Sequence, residues 1–182
     1  FGSSHGETRI LRLGYAEGMQ YVPMALRARE LWKNLSEEAG LEIFSETGVL
    51  SIRSNQEGSF KNSLKGVEAF RLKHELLSSK DISDMYSVIK PEDMIGLLDK
   101  ESGVVHSEKA IKTHLTKAQF AGAKFFTNEK VLKADFSNTV KVKTDKNTFY
   151  ADAVVVSVGA WISELLTLPK LNFEVERQVF FY

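Results

Sequence analysis

The chain has 182 residues, 43% apolar and 26% charged, with 24 basic against 24 acidic side chains and a formal net charge of zero. That length buries a sizeable core in one domain or one and a fraction, and the even charge balance argues against a nucleic-acid footprint. Cysteine is absent, which excludes disulfides, thiolate metal sites, a cysteine nucleophile and sulfur-linked cofactors within these residues. No apolar stretch approaches the roughly 20 residues that span a membrane, so neither membrane nor nucleic acid is expected as a partner, and a cytoplasmic location is the expectation.

The first element is polar. Ser3-Ser4-His5-Gly6-Glu7-Thr8-Arg9-Ile10-Leu11-Arg12 places a histidine, a threonine hydroxyl and two arginines in one short stretch. Read as a helical turn, the spacing of three puts Arg9 and Arg12 on one face, where both address an anion. Two readings stand: a pair of surface arginines, or a site for a carboxylate or phosphate. His5 is either a functional imidazole or a loop histidine bonded to backbone.

Residues 23–39 read as an amphipathic helix with Met24, Ala28, Leu31, Leu35 and Ala39 as its stripe, Pro23 at its start and Gly40 as its cap. Residues 44–53 read as extended. A second helix is expected over 58–74, with Phe60, Leu64, Val67 and Phe70 on one side, and a third start near Ser79. Residues 94–105 suggest two strands around the turn composition of Asp99 to Gly103. Ser107 starts a helix with Ile111, Leu115 and Ala118 as its stripe, ending near Gly122.

A short strand over 124–127 follows, then a β-meander over 131–136, 140–144 and 148–156. The run Ala153-Val154-Val155-Val156-Ser157-Val158-Gly159 fits a strand covered on both faces, as in a parallel sheet, with a short helix beginning at Trp161. Lys141, Lys143 and Lys146 read as the wet face of a hairpin. The four histidines show no metal-ligand spacing, and no metal is expected. No G-x-G-x-x-G fingerprint occurs. The fold class is therefore α/β with an antiparallel insertion.

The segment from Ser3 to Arg12 closely resembles one in the monomeric sarcosine oxidase and N-methyltryptophan oxidase family of FAD-dependent amine oxidases, within the D-amino-acid-oxidase superfamily. The likeness continues through Tyr21-Val22-Pro23, Glu30-Leu31-Trp32, Thr47-Gly48-Val49-Leu50, Ser102-Gly103-Val104, Gly122-Ala123-Lys124 and Val156-Ser157-Val158-Gly159-Ala160-Trp161, to Arg177-Gln178-Val179. It implies a partial FAD-binding Rossmann-like domain with a β-meander and an antiparallel substrate-side insertion. The expected divisions are 1–42 (flavin-domain segment and long helix), 43–105 (substrate-side insertion) and 106–182 (the remainder of the flavin domain).

The resemblance also implies an activity. A secondary amine, as in sarcosine or another N-methyl amino acid, is oxidised to an imine, with oxygen reduced to hydrogen peroxide. A glycine-oxidase-type enzyme, or a non-catalytic anion-binding domain of the same fold, is the alternative. By this likeness Ser4, His5, Thr8 and Arg9 lie along the flavin, with His5 and Arg9 also counted among the catalytic groups, and Arg12 holds the substrate carboxylate. Val131 serves the adenine end, and Gly159 and Trp161 flank the cofactor. A cation beside the flavin stabilises its reduced form, and a guanidinium fixes a carboxylate.

The chain starts at Phe1 without methionine and stops within the apolar run Val179-Phe180-Phe181-Tyr182, and it reads as a piece of a larger protein. The family's phosphate loop, flavin-attaching cysteine and oxygen-activating lysine are then expected outside these residues. On that reading the missing remainder of the chain is a partner, FAD belongs to the parent protein, and this piece alone neither retains FAD nor turns over substrate.

Overall fold

A computed structural model of the chain describes residues 4–54, 57–136, 139–166 and 173–176. The expectations for Ser3, Arg177 to Val179 and the apolar end at Phe180 to Tyr182 lie outside them. The described strands in chain order are β1 (Thr8–Leu11), β2 (Phe44–Ser45), β3 (Val49–Arg53), β4 (His74–Ser78), β5 (Ile95–Asp99), β6 (Gly103–His106), β7 (Val131–Asp135), β8 (Val140–Thr144) and β9 (Thr148–Ala151). The described α-helices are α1 (Val22–Ala39), α2 (Gly58–Ala69), α3 (Ser79–Met85), α4 (Ser107–Phe120) and α5 (Ile162–Leu165). The chain divides into a larger unit, Gly6–Ala118, and a smaller one formed by Phe1–His5 with Gln119–Tyr182.

The larger unit holds two antiparallel sheets, ordered β1-β6-β2 and β3-β5-β4. Leu13, Val22, Ala25, Phe60, Val67, Leu72 and Leu97 form one core cluster, and Leu35, Ile43, Phe44, Val105 and Ala110 form a second. Helix α1 spans both. Pro23 sits in its first turn, where a missing N–H costs nothing, and Gly40 closes it with φ of 62°. Its buried face keeps Leu35 and Ala39 of the expected stripe but not the rest of it. Val22, Ala25 and Leu35 are buried and Trp32 is half-buried, whereas Met24 and Leu31 are at least half exposed. Val22 and Ala25 reach the first cluster, and Leu35 with Trp32 and Ala39 the second.

Helix α4 likewise departs from its expected stripe. Ser107, Ala110 and Thr113 are buried, while Ile111 and Leu115 lie more than 40% exposed. Helix α2 stops at Ala69, not at His74. Leu72 N donates to Val67 O at 2.8 Å, Arg71 takes a φ of 54°, and His74 enters β4, an edge strand the sequence reading did not find. Helix α3 begins with a reciprocal capping box between Ser78 and Asp81. Strands β5 and β6 flank the Asp99 to Gly103 turn as expected, yet each belongs to a different sheet.

In the smaller unit β7-β8-β9 forms the expected meander. Pairing Ala134 with Val142 and Val142 with Phe149 makes its apolar face, against which the Phe126 ring packs 4.8 Å from that of Phe149. Two expected strands are not formed. Residues 124–127 and 153–158 carry no regular structure, and Val155 is 89% exposed. All the described strand pairings are antiparallel. A one-turn 3-10 helix, Gly159–Trp161, leads into α5. Among the described residues no helix is long and apolar enough to cross a membrane.

Candidate functional site

The arginines sit on extended chain, which corrects the helical-turn expectation. Thr8–Leu11 is β1, paired antiparallel with β6 through Thr8 to His106, Arg9 to Val105, Ile10 to Val104 and Leu11 to Gly103. Side chains alternate across a strand, so Arg9 shares a side with Leu11. Continued one residue past the strand, the alternation puts Arg12 on the side of Thr8 and Ile10. The two arginines are therefore not held on one face of a helical turn. Arg9 is half-buried, and its Nη1 donates to Thr8 O at 2.6 Å. Arg12 is half-buried as well.

The span between them is clamped at both ends. Before β1, Ser107 donates from its backbone N to Glu7 O at 2.9 Å and from its hydroxyl to Gly6 O at 2.5 Å. After Arg12, Leu13 N donates to Ser102 Oγ at 2.9 Å and to Asp99 Oδ2 at 3.3 Å. Gly14 N reaches the same carboxylate oxygen at 3.1 Å, and Ser102 Oγ donates to it at 2.5 Å. Asp99 and Ser102 are buried. These two positioning residues escaped the sequence reading. The turn composition around them was visible, but not the partner more than 80 residues away.

The smaller unit carries the rest of the candidate residues. Ser4 and His5 are exposed at its amino-terminal piece. Val131 and Trp161 share the wall of a cavity of about 560 Å³ with Lys130, Leu132, Val158 and Leu165, and with Glu164 at its margin. That size suits a drug-sized organic ligand, and the wall is mainly apolar. Gly159 opens the turn that presents Trp161, with a φ of 55° that a side chain rarely tolerates.

The cavity's near wall is cross-linked by hydrogen bonds. Lys130 N donates to Asp145 Oδ1 at 3.0 Å, and Asp145 N returns a bond to Lys130 O at 3.0 Å. Thr144, buried opposite Val131, donates through Oγ1 to Glu129 Oε1 at 2.6 Å and accepts from Asn147 N at 2.7 Å. Lys130, Leu132 and Glu164 were not foreseen; no local pattern marks them. Among the described residues no group of three or more His, Asp or Glu is placed to hold a metal ion.

The family described as DAO, FAD dependent oxidoreductase, matches residues 1–181. The chain belongs to this family of FAD-dependent oxidoreductases. It is 37% identical over 180 residues to a monomeric sarcosine oxidase of Bacillus sp. (strain B-0618), covering 97% of this chain and 46% of that protein. It is 35% identical over 181 residues to an N-methyl-L-tryptophan oxidase of Yersinia pestis (strain Pestoides F), covering 98% and 48%. The chain thus spans about half the length of the curated relatives it matches. Its fold is similar to that of NikD, an unusual amino acid oxidase essential for nikkomycin biosynthesis, with a TM-score of 0.78 at 24% identity over 90% of this chain and 43% of that one. A glycine oxidase from Geobacillus kaustophilus gives 0.71 at 21%, over 90% and 47%.

Proposed function

We propose that the chain is part of an FAD-dependent oxidase that oxidises the secondary amine of sarcosine or another N-methyl amino acid to an imine, with oxygen reduced to hydrogen peroxide. The observation that carries this reading is the likeness to a monomeric sarcosine oxidase over 97% of the chain. What supports the cofactor is a mainly apolar cavity of about 560 Å³ beside Val131 and Trp161, large enough for an organic ring system. In this reading Val131 serves the adenine end of FAD, Gly159 and Trp161 flank the cofactor, and Ser4, His5, Thr8 and Arg9 lie along the flavin.

When bound, FAD would supply the two-electron acceptor, with oxygen as the final oxidant. The chain's own residues bind and orient. Arg12 takes the substrate carboxylate bidentately, which fixes the amine relative to the cofactor. Arg9 supplies positive charge beside the cofactor. Asp99 and Ser102 hold the backbone after Arg12, so the guanidinium is placed before substrate arrives. FAD is proposed for the whole protein; residues 1–182 taken alone are proposed not to retain it.

Arg12→Ala in the flavin-loaded whole protein tests the assignment. A charge-assisted hydrogen-bond pair lost here is worth about 1.5–3 kcal/mol, or roughly a ten- to hundred-fold rise in KM for an N-methyl amino acid, with flavin content unchanged. An unchanged KM, or a whole protein that carries no flavin, overturns the reading.

A further inference from the structure

Four segments of the larger unit meet at the turn between β5 and β6, and the Glu101 side chain holds two of them. Glu101 Oε2 accepts from Lys73 N at 2.8 Å, and Oε1 lies 3.4 Å from Arg29 Nη2. Lys73 leads into β4, and Arg29 belongs to α1. The other two segments bond to Asp99 and Ser102. Leu13 N and Gly14 N donate to Asp99 Oδ2, and Gly48 N donates to Ser102 O at 3.0 Å. Glu101 joins the two sets. Its backbone N donates to Asp99 Oδ1 at 3.2 Å, which leaves Oδ2 to Leu13 N, Gly14 N and the Ser102 hydroxyl. The Glu101 and Arg29 side chains are 18% and 21% exposed, so solvent screens their pairing only in part. Arg29 is fixed from its other side by Glu46, 2.7 Å away.

We infer that Glu101 is a positioning residue for Arg12, acting from outside the anion site through the turn and the backbone at residues 13–14. This role rests on the reading that Arg12 takes the substrate carboxylate. A bidentate guanidinium–carboxylate pair demands direction as well as charge. A displacement on the order of 1 Å in a group that orients substrate costs a large factor even when the change lies far from the chemistry. Arg12 is followed at once by the two amides that Asp99 holds, so whatever turns the Asp99 carboxylate moves the backbone beside the guanidinium. Glu101 governs that carboxylate in two ways. Its backbone N fixes Oδ1, and its side chain ties the turn to Lys73 and, through Arg29, to α1. Without that side chain Lys73 N loses this acceptor and α1 loses this tie to the turn. No local pattern marks Glu101, whose Lys73 partner lies 28 positions away.

The test is a double-mutant cycle in the flavin-loaded whole protein, with sarcosine as the substrate probe. Glu101→Ala is expected to raise KM about three- to ten-fold, with kcat changed less than about two-fold and flavin content unchanged. In an Arg12→Ala background the same change is expected to leave KM within about two-fold, because the group it positions is gone. Exchange at the Leu13 and Gly14 amides rises with the single change. Glu101→Gln is the second variant and carries the test if the alanine variant does not fold. Its amide oxygen still accepts from Lys73 N, but it gives up the charge facing Arg29. A smaller rise in KM is expected, and it too vanishes when Arg12 is absent. An unchanged KM for the Glu101 variants, an equal rise in both backgrounds, or a fall in kcat with KM unchanged overturns the role. If Arg12→Ala itself leaves KM unchanged, the carboxylate reading falls and this role with it. If Arg12→Ala responds and the Glu101 variants do not, this role alone falls.

Discussion

Asp99 accepts hydrogen bonds from Leu13 N, Gly14 N, Glu101 N and the Ser102 hydroxyl while lying 4% exposed. A buried carboxylate is tolerated only when so many donors replace its water. Removing it leaves two distant backbone N–H groups without this partner and frees the chain just after Arg12. Asp99→Ala is expected to lower unfolding free energy by about 1–3 kcal/mol, read from urea denaturation of the chain. Leu13 and Gly14 amides should lose exchange protection first. Asp99→Asn keeps the volume but presents fewer lone pairs to the donors, so it falls between wild type and alanine. A loss under about 0.5 kcal/mol for the alanine variant would show that the span is held by β1 pairing alone. No sequence pattern announces this network, because the partners are joined only by the fold.

At the scale of elements, local chemistry was legible and tertiary choice was not. Pro23, Gly40 and Ser107 mark helix ends by rules that need no knowledge of the rest of the chain. The buried face of a helix depends on what it meets. Helix α4 buries Ser107, Ala110 and Thr113 in place of the larger Ile111 and Leu115, and α1 buries Val22 and Ala25 in place of Met24 and Leu31. Strand β4 was missed because its pairing with β5, not its own residues, makes it a strand. Gly103 shows how tightly such choices are fixed. A Cβ there would stand 2.1 Å from Ser45 O and 3.0 Å from the Phe44 ring, beside the antiparallel pairing of β2 with β6. Gly103→Ala is therefore expected to cost about 1–3 kcal/mol through forced separation of the two strands. Gly58, which has open space around it, provides the control: Gly58→Ala should change the urea midpoint little. Equal midpoints for the two variants would mean that β2 yields without cost.

At the scale of the whole molecule, antiparallel pairing was readable only in the β7-β8-β9 meander, whose partners are consecutive; the pairings of β1 with β6 and of β3 with β5 join distant stretches and were not. The apolar runs at 124–127 and 153–158 carry a strand signal that nothing among the described residues answers. The two sheets of the larger unit are joined to α1 by a charge cluster that sequence spacing does not reveal. Glu46 Oε2 lies 2.7 Å from Arg29 Nη2 and 2.5 Å from Lys33 Nζ, and Arg29 Nη2 also reaches Glu101 Oε1 at 3.4 Å. Burial alone pushes the Glu46 carboxyl up. Hydrogen bonds from Lys33 and Arg29, with their charges, outweigh it and hold the group below its ordinary 4.5. The folded state thus binds this proton less readily than the unfolded chain. The stabilisation is present in full above pH 4.5 and is lost as pH falls below that value through the folded one. Because Glu46 is partly solvated, its worth is only about 0.2–1 kcal/mol and shrinks with salt. Glu46→Gln should be less stable than wild type by that amount at neutral pH, and the gap should close in acid. Urea unfolding from about pH 7 to about pH 3 measures it, and two parallel curves would mean that the carboxylate contributes nothing to holding α1 against the sheets.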